Sequence, residues 1–360
     1  MRIIDCHAHM AVPHQLAVYK ASLLSHRGAH GRKAPPVSDE AIKQALTRVE
    51  MAPVGHLECL DQAGVDMQLL SPRPFQLMHS EEPKRLVHWY VEYANDIIAQ
   101  ECALYPDRFV GVAGLPQTGD SPIHEVLPEL ERCVKTHGFR GCLINPDPFE
   151  NNGRQAPAMG DRYWYPLYEK LCELDVVGHI HSAGSRSPER EPYSLHFINE
   201  ETTAVYGLCR STVLDDFPTL KLLVSHGGGA IPYQIGRFDA TSVPRTGMQV
   251  SGGRFRDRLR KLYFDTVLYS REAIELLVKV VGPSQCLYGA EMPGVGSSID
   301  PDTGRTFDTI IPYIREMPFI TEAERSAILG GNAASLFGIS PRALAARAAQ
   351  TSTHSRQAEV

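Results

Sequence analysis

The sequence predicts an α/β protein folded as a (β/α)8 TIM barrel with loop insertions. Three observations predict it. Eight short apolar runs alternate with helical segments, which argues for parallel strands joined by crossover helices. The 360 residues suffice for one such barrel with enlarged loops. No Gly-x-Gly-x-x-Gly follows a strand, which counts against an open doubly wound sheet.

Taken in order, the first apolar run ends in Asp5-Cys6-His7-Ala8-His9. Residues two apart on a strand share a face, so His7 and His9 project together. The polar stretch after His9, with Pro13, Pro35 and Pro36, reads as loop or small helices outside the core. Helical spacing over Asp39 to Asp61, broken near Pro53, precedes a strand over Val65 to Leu70 that ends at Ser71-Pro72-Arg73. A helix from Glu82 to Leu104 leads to a strand over Phe109 to Ala113, ending at Gln117. A helix from Ser121 to Thr136 leads to Gly141 to Ile144, ending at Asn145.

Next come a helix from Tyr163 to Leu174 and a strand from Val176 to Ile180, which ends in His181-Ser182-Ala183-Gly184. A helix from Phe197 to Val213 precedes the strand Leu220 to Val224 and its turn Ser225-His226-Gly227-Gly228-Gly229. Leu262 to Asp265 is the seventh strand. The helix Arg271 to Val281 and the strand Gln285 to Gly289, ending at Ala290-Glu291, complete the series. One domain over 1–341 is expected, with a disordered Ala- and Ser-rich tail over 342–360.

Composition excludes several function classes. Hydrophobic residues are 43%, charged residues 22%, and the formal net charge is -6, which offers nothing to nucleic acid or an anionic membrane. No run of about 18 apolar residues is present, so no membrane span is expected. The N-terminus lacks the layout of a signal peptide, so a cytoplasmic protein is expected. The eight cysteines form no Cys-x-x-Cys pair and read as reduced thiols. The expected partners are a small-molecule substrate and a second copy of the chain, as a dimer.

The chemistry lies at the strand ends. His7, His9, Arg73, Gln117, Asn145, His181, His226, Asp265 and Glu291 all follow apolar runs, and a barrel gathers such ends at one mouth. Three imidazoles and one carboxylate suit a single Zn²⁺: His7, His9, His181 and Glu291. His226 is either a ligand in place of His181 or a base beside the metal. His179 lies deeper and reads as core. Asn145 leaves no lysine at the fourth strand end to bridge two metals, so one metal per chain is expected. Arg73 and Arg237 suit carboxylates of a substrate, and the Gly227-Gly228 turn can bring backbone N–H groups to an anion.

Asp5-Cys6-His7-Ala8-His9, Ile180-His181-Ser182-Ala183-Gly184, His226-Gly227-Gly228-Gly229 and Gly289-Ala290-Glu291 together resemble the amidohydrolase superfamily, in its branch of mononuclear decarboxylases and hydratases. Glu291, where most of that branch carries Asp, is similar to the 4-oxalomesaconate hydratase family. Ser71-Pro72-Arg73, Asn145-Pro146-Asp147-Pro148 and Asp161-Arg162-Tyr163-Trp164 extend the resemblance over nearly the whole chain. It implies zinc on His7, His9, His181 and Glu291, and substrate carboxylates near Arg73, Asn145 and Arg237. His196 stands where the hydratases carry substrate-facing tyrosines. The expected activity is a zinc hydro-lyase of aromatic catabolism, adding water to an unsaturated oxo-polycarboxylic acid, with Glu291 or His226 moving protons. The alternative is a nonoxidative decarboxylase of an aromatic or dienoic acid, since Asn199-Glu200-Glu201-Thr202 and Pro293 resemble the decarboxylases.

Overall fold

Every strand run is short, and nearly every strand residue is buried, as parallel strands covered on both faces require. The computed structural model describes residues 2–49, 51–243 and 253–339. The strands are β1 (Ile4–His9), β2 (Met67–Ser71), β3 (Phe109–Gly111), β4 (Gly141–Ile144), β5 (Val177–Ile180), β6 (Leu222–Val224), β7 (Tyr263–Asp265) and β8 (Cys286–Leu287). The helices between them begin with α1 (His14–His26), α2 (Asp39–Thr47), α3 (His56–Ala63), α4 (Arg85–Leu104), α5 (Leu127–His137) and α6 (Tyr165–Leu174). They continue with α7 (Tyr193–Cys209), α8 (Val213–Asp216), α9 (Ile235–Thr241), α10 (Phe255–Leu259) and α11 (Arg271–Val281). After β8 come α12 (Ile311–Arg315), α13 (Glu322–Ser326) and α14 (Asn332–Leu336).

One parallel ladder runs β1–β2–β3 and another β4 through β8. A bridge between Ala113 and Cys142 joins them. The Cys6 N–H donates to the Tyr288 carbonyl at 2.9 Å, which closes β8 onto β1. The fold is therefore the (β/α)8 barrel that the alternation predicts. Inside it, Met67, Leu69, Leu143, Val177, Leu223 and Leu287 form a cluster, sealed at its lower end by Leu336 and Phe337 around α14.

β1 carries an irregularity that matters for the site. Its pairing with β2 shifts register between Asp5 and Ala8. Ile4 and Cys6 pack into the interior cluster, whereas Ala8 belongs to the outer core. A plain alternation would put His7 and His9 on Asp5's side, away from Cys6; the shift re-aims them, as β-bulges beside active sites do. Asp5 is left to a buried network: it accepts from Gln68 Nε2 at 2.8 Å and from the N–H groups of His7 and Ala290 at 3.0 and 3.1 Å. Gln68 also donates to the Met292 carbonyl (2.7 Å) and meets His56 Nε2 (2.7 Å). The network ties β1, β2 and the segment after β8 together just below the mouth.

Two expectations need correction. The stretch after His9 is not outside the core, because α1 buries Leu16, Tyr19 and Leu23. Those three positions lie on one helical face, and the polar residues between them hid the stripe. The helix expected from Phe197 starts at Tyr193, with Pro192 at its N-cap, so His196 is inside the helix and not on a loop. The tail over 342–360 lies outside the described residues.

Candidate metal centre and active site

Five of the strand-end residues converge. The ring of His7 lies 5.3 Å from that of His9, 4.9 Å from His181 and 5.3 Å from His226, centroid to centroid. Ligand atoms of His7, His181, His226 and Glu291 all lie within 4.8 Å of one another. His9 Nε2 is 3.4 Å from Glu291 Oε1, while His226 Nε2 is 3.8 Å from Oε2.

Each imidazole has its Nδ1 tied and its Nε2 directed inward. His7 Nδ1 meets Asp265 Oδ2 at 2.7 Å, and His9 Nδ1 meets Ser71 Oγ at 2.9 Å. His181 Nδ1 meets the Ser182 carbonyl at 2.6 Å, and His226 Nδ1 lies 2.9 Å from both carboxylate oxygens of Glu201. The Nε2 atoms of His7 and His181 are buried without any hydrogen-bond partner. A buried polar atom lacking a partner is costly, and convergent orphaned imidazole nitrogens beside a carboxylate fit a metal ion. Second partners on Nδ1 orient such ligands.

Burial pushes His9 down to about 4 and His181 well below its ordinary value, so both rings are neutral, as ligands must be. For His7, burial acts the same way but the bond and charge of Asp265 outweigh it and raise it. Burial likewise opposes charge on His226, and Glu201 and Glu291 overcome that and hold it well above its ordinary value. Glu291 is held well below the usual carboxylate range: desolvation would raise it, but bonds from His226 and His9 outweigh that.

Backbone geometry serves the same mouth. His226, Tyr269 and Glu291 have positive φ angles of 49°, 55° and 55°. Such conformations cost non-glycine residues roughly 1–2 kcal/mol each, and they concentrate at functional sites. The His226 turn needs its glycines: a Cβ on Gly229 (φ 65°) would sit 2.4 Å from Thr202 Oγ1, blocking the approach of α7 to the turn. That approach places Phe197 against the His226 ring (5.8 Å, 20°) and, four residues on, Glu201 against its Nδ1. A cavity of about 300 Å³ remains, lined by Tyr193, Phe197, His226, Leu268, Tyr269 and Glu291. The Tyr269 hydroxyl donates to Glu291 Oε2 at 3.2 Å.

The other expected contacts fall differently. Arg73 is buried at the end of β2, with Nη1 3.2 Å from Met51 Sδ, and its charge reaches His9. Asn145 spends its side chain on the fold: its amide group binds His79 Nδ1 (2.7 Å) and the Asp147 carbonyl (3.0 Å), and its oxygen accepts from the Asp147 N–H (3.0 Å). The Gly227 N–H goes to Asp265 Oδ1 (3.3 Å) and that of Gly228 to the Ser225 carbonyl (2.9 Å), so this turn offers an anion no free donors there. Arg237 is exposed on α9 and does not line the cavity. His196 is buried, 4.0 Å from Asp147 and 3.6 Å from Glu191, while Tyr193 and Phe197 of the same helix line the cavity. His179, as expected, is core, bonded to Ser225 Oγ at 2.9 Å.

Sequence reasoning gave no role to Asp265, Glu201 or Tyr269. Asp265 carried a signal, its position at a strand end, but its partner His7 is 258 residues away. Glu201 carries none until α7 is laid over the His226 turn.

Beside Glu201, Glu200 carries a testable consequence. Burial raises its carboxyl from 4.5 to about 7, helped by the charges of Asp147, Glu191 and Glu201. The folded chain then holds a proton that the unfolded chain has lost, so stability falls as pH rises between those values. Glu200→Gln is expected to be more stable than wild type above pH 7 by about 1 kcal/mol once solvent screening is allowed for, and no more stable at pH 4. Urea melts at the two pH values measure the difference.

The Amidohydrolase family model matches residues 4–339. The chain belongs to the amidohydrolase family. Within the family, it is 34% identical over 354 residues to a 2-keto-4-carboxy-3-hexenedioate hydratase from Sphingobium sp. (strain NBRC 103272 / SYK-6), covering 94% of this chain and 96% of the relative. The crystal structure of 4-oxalomesaconate hydratase from Rhodopseudomonas palustris superposes with a TM-score of 0.81 at 29% identity, over 98% of this chain and 99% of that one. A 2-amino-3-carboxymuconate-6-semialdehyde decarboxylase from Dictyostelium discoideum is 28% identical over 78% of this amidohydrolase and 75% of its own length. Among the described residues, no helix of this family member is long and apolar enough to cross a membrane.

Proposed function

We propose that this amidohydrolase is a hydro-lyase that adds water to an unsaturated oxo-di- or tricarboxylic acid such as 4-oxalomesaconate. The observation that carries the reading is the line Glu201–His226–Glu291, with a carboxylate on each side of one imidazole at 2.9 and 3.8 Å. It sets an imidazole and a carboxylate side by side at the cavity, groups able to serve as the acid and the base that hydration of a conjugated double bond needs. The names of the hydratase relatives agree with it.

His7, His9, His181 and Glu291 would hold one zinc ion, their nitrogen and oxygen donors suiting that metal. When bound, the ion polarises an oxo or enol oxygen of the substrate. Glu291 Oε2, free of His9, accepts the proton of water as its oxygen adds to the carbon β to the oxo group. Electrons move from the double bond onto the oxo oxygen, and His226 returns a proton to the α carbon. Tyr269 keeps Oε2 in place, and Phe197 and Leu268 keep other water out. Arg73 takes a substrate carboxylate. The eight free cysteines suit a reducing compartment, and we place the protein in the cytoplasm.

A second reading has an observation of its own. Glu201 lies in the segment that resembles the decarboxylases, and a carboxylate-held imidazolium is also a proton donor to carbon. Purified protein incubated with 4-oxalomesaconate decides: the conjugated absorbance is expected to fall with no carbon dioxide released. Carbon dioxide in step with turnover would make the enzyme a decarboxylase.

Two measurements test parts of the site. Elemental analysis of active protein is expected to find about one zinc per chain; two equivalents would rule out the mononuclear centre, and one manganese would replace zinc. Arg73→Met is expected to lower kcat/KM by about tenfold, mostly through KM, with metal content unchanged. Wild-type kinetics in that variant would make Arg73 a structural cation.

A further inference from the structure

We propose that a cavity behind the loop after β8 is a second binding site, for a small organic acid bearing a hydroxyl group at the end remote from its carboxylate. The cavity is about 420 Å³, within the range of small-molecule sites, and shares no lining residue with the cavity at Glu291. The loop from Glu291 to Ser297 separates the two. Glu291 faces the histidines, whereas Met292 and Ser297 line the second cavity.

Three features specify the ligand. At the inner end, Tyr288 and Asp308 line the cavity, and the Tyr288 hydroxyl and Asp308 Oδ1 are both buried without a hydrogen-bond partner. The fold uses the other oxygen, Oδ2, which accepts from Ser297 Oγ at 2.6 Å, while the Thr306 hydroxyl beside the carboxylate pairs with Thr309 Oγ1 at 2.9 Å. Ser297 Oγ in turn accepts from the Gly294 N–H at 3.0 Å, so Asp308 is held in place. Two orphaned atoms of opposite kind, a phenol donor and a carboxylate acceptor, are satisfied together by one hydroxyl, which accepts from the first and donates to the second. At the rim stand Arg305 and Arg315, both exposed and with no carboxylate partner among the described residues. Unpaired guanidinium groups facing one opening select a carboxylate. Between the two ends, Pro53, Val54, Ile311 and Pro312 form apolar walls that fit a ring or a short hydrocarbon body.

The test uses 4-hydroxybenzoate as the probe, titrated into the metal-loaded full chain by calorimetry. Wild type is compared with Arg305→Met/Arg315→Met, with Asp308→Asn, and with Glu291→Gln as the control for the other cavity. The expected result is a binding event that weakens at least tenfold in the double arginine variant and persists in Glu291→Gln. Benzoate, lacking the hydroxyl, and 4-hydroxybenzyl alcohol, lacking the carboxylate, are each expected to bind at least tenfold more weakly. The arginines are exposed, so metal content and melting temperature should match wild type, and Asp308→Asn gives an independent loss at the inner end. Equal affinity in the double arginine variant overturns the proposal, as does a binding event abolished by Glu291→Gln. Benzoate binding as tightly as 4-hydroxybenzoate would remove the hydroxyl from the inner end and overturn it equally.

Discussion

Replacing His226 by asparagine is expected to lower kcat by roughly 10²–10⁴-fold, the usual worth of a positioned acid or base, while the metal content stays near one per chain. The distinction matters because His226 lies within 4.8 Å of His7, His181 and Glu291, close enough to be a ligand itself. Its Nδ1 is held by both oxygens of a buried Glu201, which stabilises the protonated ring. The Glu201 pairing fixes the ring with Nε2 toward Glu291, from where it can pass a proton or hold a metal, as the Asp265–His7 pair does for its own ring. Metal measured on the same preparation separates the two: activity lost with metal retained makes His226 the acid, and both lost together make it a ligand. Glu201→Gln gives a second reading. The amide holds the ring but removes the charge that raises its pKa, so the alkaline limb of kcat should move to lower pH. An unmoved limb would detach Glu201 from the chemistry.

What could be read from the sequence follows from how local each feature is. Strand runs such as Gly141–Ile144, and the helix Arg271–Val281, are bounded by glycine, proline and serine signals within a few residues, and they appear at the expected positions. His7, His9, His181 and Glu291 end such runs, so the barrel brings them together once its topology is known. α1 was hidden because three buried positions in a polar segment do not change its average character. Asn145 shows the opposite failure. A polar residue at a strand end looked available, and its hydrogen bonds to His79 and Asp147 could be counted only in three dimensions. Glu201 and Asp265 act through histidines contributed by other strands, and no spacing within one segment encodes such a pair.

Glu291→Asp is expected to keep most of the metal yet hydrate more than about tenfold more slowly, over 1.4 kcal/mol of barrier, and Glu291→Gln to lose about 10²–10⁴-fold. The carboxylate of Glu291 is shared: Oε1 lies 3.4 Å from His9 Nε2, while Oε2 lies 3.8 Å from His226 Nε2 and 3.2 Å from the Tyr269 hydroxyl. One methylene fewer withdraws the group by most of a bond length, so it can stay with His9 or with His226 and Tyr269, not with both. A metal ligand needs the first set and a base needs the second. Backbone strain does not confuse the comparison, because aspartate tolerates the φ of 55° at this position at least as well as glutamate. Gln keeps the reach and loses the basicity, which tests the other half of the argument. Metal content and turnover of the three proteins, measured side by side, are the readout. If Glu291→Asp hydrates at the wild-type rate, Oε2 is not the base, and the proton of water passes to His226 instead.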